Sequence, residues 1–204
     1  MLLSIDPIHP QPHQIARVVE CLQSGGIIAY PTDTTYGIGC SIFNKKGLER
    51  IYQTKQRDKR KPFSFICADL SEVSRYTRLS NQAFKIMKRH LPGPYTFVLE
   101  ASREVPDLLI TKQKTVGIRI PDNLICHAIV QGLGVPIVTT SANLTGEDPV
   151  GDPLEINRQF GHALDFVIDG GLLTTDVSSV ISLMGDQLEL LRKGAGDLSW
   201  LPGG

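Results

Sequence analysis

Residues 25–40 read GGIIAYPTDTTYGIGC, and this stretch carries the strongest indication of the fold class. Upstream of it, apolar residues at helical spacing predict a helix over residues 12–24, which Gly25 and Gly26 end. The apolar run 27–30 then predicts a short buried strand that stops at Pro31. A helix that leads directly into a buried strand favours a protein of mixed helices and strands.

The rest of the chain continues this alternation. Further helices are predicted at residues 45–54, at 81–90 with Ser80 as N-cap, and at 124–131 with Gly132 as the stop. Strands are predicted at residues 63–67, 95–100, 116–120, 136–140 and 166–168, followed by a hairpin of 179–183 with 188–192. No stretch has the composition of a linker. We therefore expect a single α/β domain over residues 1–204, with a twisted mixed sheet flanked by helices.

Composition excludes several classes of protein. The 204 residues are 41% hydrophobic, and 21 basic residues balance 21 acidic ones, so a fully disordered chain or a generic polyanion binder is not indicated. The four cysteines form no C-x-x-C pair and are expected to be reduced, buried thiols. The start of the chain lacks the cationic region of a signal peptide, and no apolar run approaches the ~18 residues of a membrane span. The expectation is a soluble cytoplasmic protein without a membrane partner.

The densest charge lies in residues 55–61, KQRDKRK, where five of seven residues are basic. One interpretation is an anion site, because arginine offers planar bidentate donors and lysine offers a point charge to phosphates. The other is a solvated loop after a helix, which is what most charge runs are. Composition alone leaves both interpretations open.

Three polar segments join this run as candidate sites. Thr139 to Asn143, TTSAN, follows an apolar strand, at the sheet edge where ligands commonly bind, although it equally suits a hydrogen-bonded turn. The threonines of residues 32–35 between two tyrosines suit a polar pocket or a plain loop. Arg119 alternates with apolar residues in GIRIP, so on a buried face it needs a structural carboxylate or a substrate carboxylate.

Common catalytic motifs are missing from the sequence. It has no G-x-x-x-x-G-K-[ST] loop, no G-x-G-x-x-G fingerprint and no G-x-S-x-G nucleophile elbow. His9 and His13 are four residues apart, but Pro10 and Pro12 exclude a helical metal pair between them. No protein metal site is predicted.

Taken together, five motifs in order resemble one family. They are GGIIAYPTDTTYGIGC, Lys55-x-Arg57 with Lys61-Pro62, GIRIP, TTSAN, and a late Ser-Ser-Val followed by Leu-Arg-Lys-x-Gly. This order resembles the YrdC/YciO family of threonylcarbamoyl-AMP synthases over about residues 10–195. The Phe-rich PFSFICADLSE strand and the Arg-Lys-Gly-Ala-Gly-Asp tail look closer to the YciO branch. One departure is Ile66, where many members of the family carry a histidine.

The resemblance implies both a fold and an activity. The fold is YrdC-like, with a twisted, largely antiparallel mixed sheet and a concave basic cavity. The activity joins L-threonine, bicarbonate and ATP, with Mg²⁺, into threonylcarbamoyl-AMP and pyrophosphate, for the threonylcarbamoyladenosine modification of tRNA. Partners implied are a downstream tRNA threonylcarbamoyl transferase complex, with tRNA or double-stranded RNA as an open question.

The resemblance also implies roles for individual residues. Threonine binding falls on Thr34, Arg119, Thr139 and Ser178, with Arg119 against the amino-acid carboxylate. Phosphate neutralisation, the catalytic part, falls on Lys55, Arg57 and Lys61. The other nucleotide contacts fall on Thr115, Ser141, Asn143 and Arg192. Catalysis of this kind uses positioning and electrostatics and needs no side-chain nucleophile.

Two alternatives stay open at this point. The first is a non-catalytic protein of the YciO branch that binds RNA or a nucleotide, which the basic run and the YciO-like features favour. The second is another adenylyl transferase that activates a different amino acid.

Overall fold

The computed structural model describes residues 1–56, 62–110 and 112–202. Six α-helices lie in these ranges: α1 Pro12–Gln23, α2 Lys45–Thr54, α3 Leu70–Tyr76, α4 Asn81–His90, α5 Leu124–Leu133 and α6 Pro153–Phe160. Short 3-10 helices cover Asp107–Leu109 and Met184–Asp186. Five of the helices begin at a side chain that accepts a backbone N–H of the first turn, namely Asn44, Asp69, Ser80, Asn123 and Asp152.

Eleven strands form one sheet in the described residues. They are β1 Leu2–Ser4, β2 Ile28–Tyr30, β3 Gly37–Ser41, β4 Ser64–Ile66, β5 Thr77–Arg78, β6 Tyr95–Ala101, β7 Thr115–Arg119, β8 Ile137–Ser141, β9 Phe166–Asp169, β10 Ser179–Ser182 and β11 Glu189–Arg192. The order across the sheet is β1-β9-β2-β3-β8-β4-β7-β6-β10-β11, and β5 pairs with β6 beside this path. Six of these pairings are antiparallel and four are parallel, which confirms the mixed sheet.

Every helix and strand predicted from the sequence is present, with ends that agree within two residues. The largest difference is at α5, which continues past Gly132 and ends at Gly134, where φ is +72°. Gly132 has another function, because a Cβ there would lie 2.9 Å from Cγ2 of Val19 on α1. The glycine therefore permits close packing of α1 against α5, and the sequence prediction of a stop was wrong by two residues.

Apolar side chains bury both faces of the sheet. One layer contains Phe65, Ile118 and Phe97, which pair with one another across β4, β7 and β6, and it packs under α2, α4 and α6. The second layer contains Tyr30, Ile66 and side chains of α1 and α5. On that second face, α1 and α5 pack on β1, β9, β2 and their neighbours, and the rest of the face lines a cavity.

Candidate functional site

The cavity has a volume of about 310 Å³. It is lined by strands β3, β4, β6, β7, β8, β10 and β11, by the residues just before β4 and β10, and by Thr35 and Tyr36. Its position follows from the period of two along a strand: Thr115, Gly117 and Arg119 of β7 face it, whereas Val116 and Ile118 are in the apolar core. Hydroxyl-bearing residues dominate the lining, and Arg119 and Arg192 are its two described cations. The volume lies in the range of about 300–1,000 Å³ that small-molecule sites occupy.

Two glycines in the lining keep the cavity open. A Cβ on Gly117 would lie 2.8 Å from Oγ of Ser64 on the neighbouring strand, and 3.1 Å from Cγ2 of Thr96. A Cβ on Gly37 would lie 2.9 Å from Oγ1 of Thr139. Both contacts are closer than a carbon atom tolerates, so glycine allows the hydroxyl-bearing strands to approach one another here.

Arg119 is the buried cation of the site, 9% exposed at the end of β7. Its Nη2 donates to Oδ1 of Asp33 at 2.8 Å and to Oγ1 of Thr34 at 2.9 Å. The other Asp33 oxygen accepts the backbone N–H of Asp122 at 3.1 Å. The partner that Arg119 requires is therefore a structural carboxylate, and the Nε of Arg119 has no hydrogen-bond partner among the described residues.

A hydroxyl pair joins β2 to β8 at the cavity lining. Buried Tyr30 donates its phenol O–H to Oγ1 of Thr139 at 2.6 Å. Burial raises the pKa of the Tyr30 phenol well above its usual value, so Tyr30 stays a donor. Because the Thr139 oxygen accepts this bond, the hydroxyl hydrogen of Thr139 is available to the cavity that it lines.

Arg192 enters the cavity because of an irregularity in the sheet. Val180 of β10 pairs with Arg192, but the next residue, Ile181, pairs with Leu190, so Leu191 is an extra residue in β11. Such a bulge changes the face to which the following side chain points, and it places Arg192 beside Val180 in the cavity lining. The guanidinium donates to the carbonyl oxygen of Ser178 from Nε at 3.2 Å and from Nη2 at 2.8 Å.

The two arginines act on one another. Burial lowers the pKa of the Arg192 guanidinium, and the positive charge of Arg119 lowers it further. Arg192 keeps its charge at neutral pH because a guanidinium titrates far above that range. Beside Arg192, the hydroxyls of Ser178 and Thr96 lie 2.7 Å apart. Since Asp33 compensates Arg119, Arg192 is the cation in this cavity whose described contacts are neutral.

Lys55 and the TTSAN segment meet behind the cavity. Lys55 is 1% exposed, and its Nζ donates to the carbonyl oxygens of Ser141 and Asn143 and to Oδ1 of Asn143 at 3.1 Å. Ser141 Oγ donates to the same Oδ1 at 2.5 Å. The segment after β8 is thus held by the residue that follows α2, and of Lys55, Ser141 and Asn143 only Ser141 lines the cavity.

The residues predicted from the sequence fall into three groups. Six line the cavity: Thr115, Arg119, Thr139, Ser141, Ser178 and Arg192. Three are buried in contact with that lining: Thr34 on Arg119, and Lys55 and Asn143 on Ser141. Arg57 and Lys61 lie outside the described residues, and their roles stay predictions, as do the roles of the other nine.

Sequence reasoning missed three residues of the site. Asp33 was read only as part of a threonine-rich loop, although an acidic residue near a buried arginine was the expected partner. Tyr30 was assigned to a buried strand, with no sign that its hydroxyl would reach β8. Thr96 lies in a largely apolar strand between two core residues, Tyr95 and Phe97, and its alternation with them was the available signal.

The remaining titratable groups do not resemble nucleophiles. All four cysteines are unpaired, and burial raises the pKa of Cys21 to about 11 and of Cys40 and Cys126 to about 12. In residues 1–56, 62–110 and 112–202, no three His, Cys, Asp or Glu side chains come together as a metal site. Across the same ranges, each helix is too short or too polar to cross a bilayer.

With this geometry described, the likeness to known proteins becomes specific. A family model named Sua5/YciO/YrdC, described as telomere recombination, matches residues 20–194. The chain belongs to the Sua5/YciO/YrdC family. The resemblance inferred from the five motifs is confirmed, and so is the α/β fold expected from it.

Three relatives place the chain within the Sua5/YciO/YrdC family. YciO of Escherichia coli, described as an uncharacterized protein, is 41% identical over 95% of each chain, and its crystal structure superposes with a TM-score of 0.93 over 98% of both. The threonylcarbamoyl-AMP synthase of Coxiella burnetii is 32% identical over 78% of this chain and 86% of its own. P. abyssi Sua5, solved in complex with L-threonine, has a TM-score of 0.89 at 26% identity, over 95% of this chain and 57% of that one.

Proposed function

We propose that this protein is an L-threonylcarbamoyladenylate synthase, which converts L-threonine, bicarbonate and ATP into threonylcarbamoyl-AMP and pyrophosphate. The observation that carries the proposal is the pair Arg119 and Arg192 in one hydroxyl-lined cavity. Support comes from relatives at 32% identity named for this activity, and from the related Sua5 solved with L-threonine. The product would serve tRNA modification through a separate transferase complex.

The amino-acid end of the site is assigned to Arg119 and Thr139. The hydrogen bonds that Arg119 makes to described residues use Nη2, so the rest of its guanidinium is the natural partner of a substrate carboxylate at this end of the cavity. Asp33 and Thr34 keep the guanidinium in one orientation, and a fixed arginine loses less entropy on binding. Thr139 offers its hydroxyl hydrogen to the substrate, because Tyr30 already donates to its oxygen.

The nucleotide end is assigned to Thr115, Ser141 and Arg192, which lie along the same cavity. Arg192 presents a guanidinium whose described partners are neutral, which suits the α-phosphate and the leaving pyrophosphate. Arg57 and Lys61 stay predictions for the same phosphates. Mg²⁺ enters as part of the MgATP substrate, and hydroxyl oxygens like those in the lining are hard ligands that it accepts.

The proposed reaction needs no covalent enzyme intermediate. The threonine amine and bicarbonate, with loss of water, form an N-carboxylate, and one of its oxygens attacks the α-phosphorus. The bond from the α-phosphorus to the oxygen that bridges to the β-phosphorus breaks, and pyrophosphate leaves with that electron pair. Both reactants are anions, so catalysis consists of holding them close and neutralising the charge that moves to pyrophosphate. The raised thiol pKa values fit a site without a nucleophilic cysteine.

The test is pyrophosphate release from ATP and Mg²⁺ with L-threonine and bicarbonate. Parallel reactions omit threonine, omit bicarbonate, or replace threonine with serine. Release that depends on both threonine and bicarbonate is the expected result, and Arg192→Ala should reduce it strongly while far-UV circular dichroism stays unchanged. ATP binding without turnover would contradict the proposal.

A non-catalytic role is the second candidate, and a specific observation favours it. E. coli YciO superposes over nearly the whole chain, and it is not named for synthase activity. Under this alternative, the cavity binds a nucleotide or the phosphates of an RNA. An RNA complex should weaken steeply with salt, in proportion to the phosphates contacted. Titration with tRNA at several salt concentrations therefore follows if turnover is absent.

A further inference from the structure

The ammonium of Lys55 is buried in protein. Lys55 follows the last residue of α2, and the side chain is 1% exposed. Lysines are almost never buried to this degree unless the charge is held by partners. Here Nζ reaches two backbone carbonyls, of Ser141 and Asn143, and the side-chain oxygen of Asn143. The carbonyl oxygen of Lys55 adds two contacts, from the N–H of Thr145 at 3.2 Å and from its hydroxyl at 3.0 Å.

These contacts determine how the Asn143 amide is oriented. Its Oδ1 faces the Lys55 ammonium, which can only donate, and its Nδ2 donates to the carbonyl oxygen of Glu147. An exchanged amide would place donor against donor at Lys55 and acceptor against acceptor at Glu147. The orientation with Oδ1 toward Lys55 is therefore the stable one.

The orientation of Asn143 in turn determines the direction of the Ser141 hydroxyl. Ser141 Oγ lies 2.5 Å from Oδ1 of Asn143, and an amide oxygen cannot donate a hydrogen bond. The serine hydrogen must therefore point to Asn143, away from the cavity. Ser141 lines the cavity, so it turns only oxygen lone pairs toward a ligand.

We propose that Lys55 is a positioning residue, which holds Asn143 and through it presents the Ser141 hydroxyl to the cavity as a hydrogen-bond acceptor. The ligand group at Ser141 is then a donor, such as a ribose hydroxyl or an amino group, and not a phosphate oxygen. The identity of that ligand as a nucleotide rests on the proposed function. The role of Lys55 differs from a direct contact between its ammonium and the phosphates of ATP.

The two roles of Lys55 predict different exposure of its ammonium before any ligand binds. A positioning lysine is covered by the segment after β8 in the unliganded protein, whereas a phosphate-binding lysine faces the cavity and is shielded by its ligand. Reductive methylation of native wild-type protein followed by peptide mass spectrometry separates them. Lys55 should react far more slowly than exposed Lys45, the first residue of α2, with or without ATP. Fast methylation that ATP suppresses would overturn the proposal.

A double-mutant cycle tests whether Lys55 acts through Asn143. Lys55→Met and Asn143→Ala should each weaken ATP binding on the order of 10- to 100-fold, as expected when hydrogen bonds to a charged group are lost. The double variant should be about as impaired as the worse single variant, because both changes release the same segment. Lys46→Met, on an exposed lysine of α2, is the matched control and should bind ATP as the wild type does. Additive losses would indicate a direct phosphate contact and contradict the proposal.

The cycle is measured as ATP affinity by calorimetry and also as kcat/KM for ATP in the pyrophosphate assay. Wild type that binds ATP without turnover contradicts the synthase but leaves the affinity cycle decisive for Lys55. If ATP neither binds nor reacts, hydrogen exchange in residues 141–147 decides: faster exchange in Lys55→Met than in Lys46→Met supports positioning, and equal exchange contradicts it. If Lys55→Met does not fold, the methylation of wild type decides.

Discussion

Substitution of Asp33 should lower the stability of the protein strongly, because its carboxylate compensates the buried positive charge of Arg119. The two side chains are 9% and 10% exposed, and the bond between them is 2.8 Å long. Removing one partner of a buried pair leaves the other charge uncompensated, at a cost of about 3–5 kcal/mol. In Asp33→Ala the backbone N–H of Asp122 also loses its acceptor. We therefore expect a free energy of unfolding lower by about 3–5 kcal/mol.

A loss of this size in the free energy of unfolding is large enough to measure by thermal denaturation. For a chain of this length each kcal/mol lowers the melting temperature by roughly 2–4 °C, so Asp33→Ala should melt about 6–20 °C below the wild type. Urea denaturation followed by circular dichroism measures the same loss. Asp33→Asn retains an oxygen for Asp122 without the charge, and its stability should fall between that of Asp33→Ala and the wild type.

A small anion provides the internal control for the charge argument. Acetate, or L-threonine if the proposed site is correct, should raise the melting temperature of Asp33→Ala more than that of the wild type, because it restores a carboxylate near Arg119. Thr34→Val, which removes a neutral hydroxyl that contacts Arg119 and Thr32, should lower the free energy of unfolding by about 1–2 kcal/mol. The reasoning on the buried charge is refuted if the free energy of unfolding of Asp33→Ala lies within about 1 kcal/mol of the wild-type value, and acetate raises the melting temperature of both proteins equally.

Three further predictions concern the cavity and the C-terminal segment. Gly117→Ala should lower the affinity for threonine and ATP with little change in circular dichroism, because the added Cβ would lie 2.8 Å from Oγ of Ser64. Calorimetry measures both affinities, and wild-type values in the variant would contradict this prediction. Ser141→Ala should weaken AMP binding but leave pyrophosphate binding unchanged, since its hydroxyl offers no hydrogen to the cavity; weaker pyrophosphate binding would contradict this. Burial, and then the charge of Arg89, lower the pKa of His90 below its ordinary value of 6.5. Near that pH the folded state therefore binds fewer protons than the unfolded state, and the free energy of unfolding should fall as the pH drops below about 6.5. Trp200, the single tryptophan, stacks on His90 at 4.0 Å, so its fluorescence should titrate with a midpoint below 6.5 in wild type and not in His90→Gln.

Much of the fold was predictable because local patterns determined it. The helix at residues 81–90 has a serine cap and apolar side chains at helical spacing, and it forms with the predicted ends. The sequence analysis did not predict β1, β3, β5, α3 and α6, although Asp69 and Asp152 cap the two helices, and the weakest local signal among them is that of β3. β3, with sequence GIGCS, has two glycines and forms because β2 and β8 pair with it on either side. The pairing partners of a strand lie far away in the chain, so its own residues do not reveal them.

The site was predictable as a set of residue types and not as a set of contacts. The segments TTSAN and GIRIP were recognised, and six of the predicted residues line one cavity. The direction of each side chain was not available from the sequence. Lys55 belongs to a basic run that suggested phosphate contact, yet its ammonium turns back onto the segment after β8. Arg192 reaches the cavity because one extra residue in β11 changes the face to which it points.

By itself, the sequence determined the class of fold, the order of helices and strands, the family, and the polar segments from which the site is built. Those features depend on the period of apolar residues, on helix caps and on the order of motifs along the chain, all of which are local or linear. Only the tertiary structure decided that Asp33 holds Arg119, that Tyr30 orients Thr139, and that Lys55 is buried behind Ser141. Each of those contacts joins residues more than 80 positions apart, and a hydrogen bond of about 3 Å is possible only when packing of the sheet brings the two atoms together.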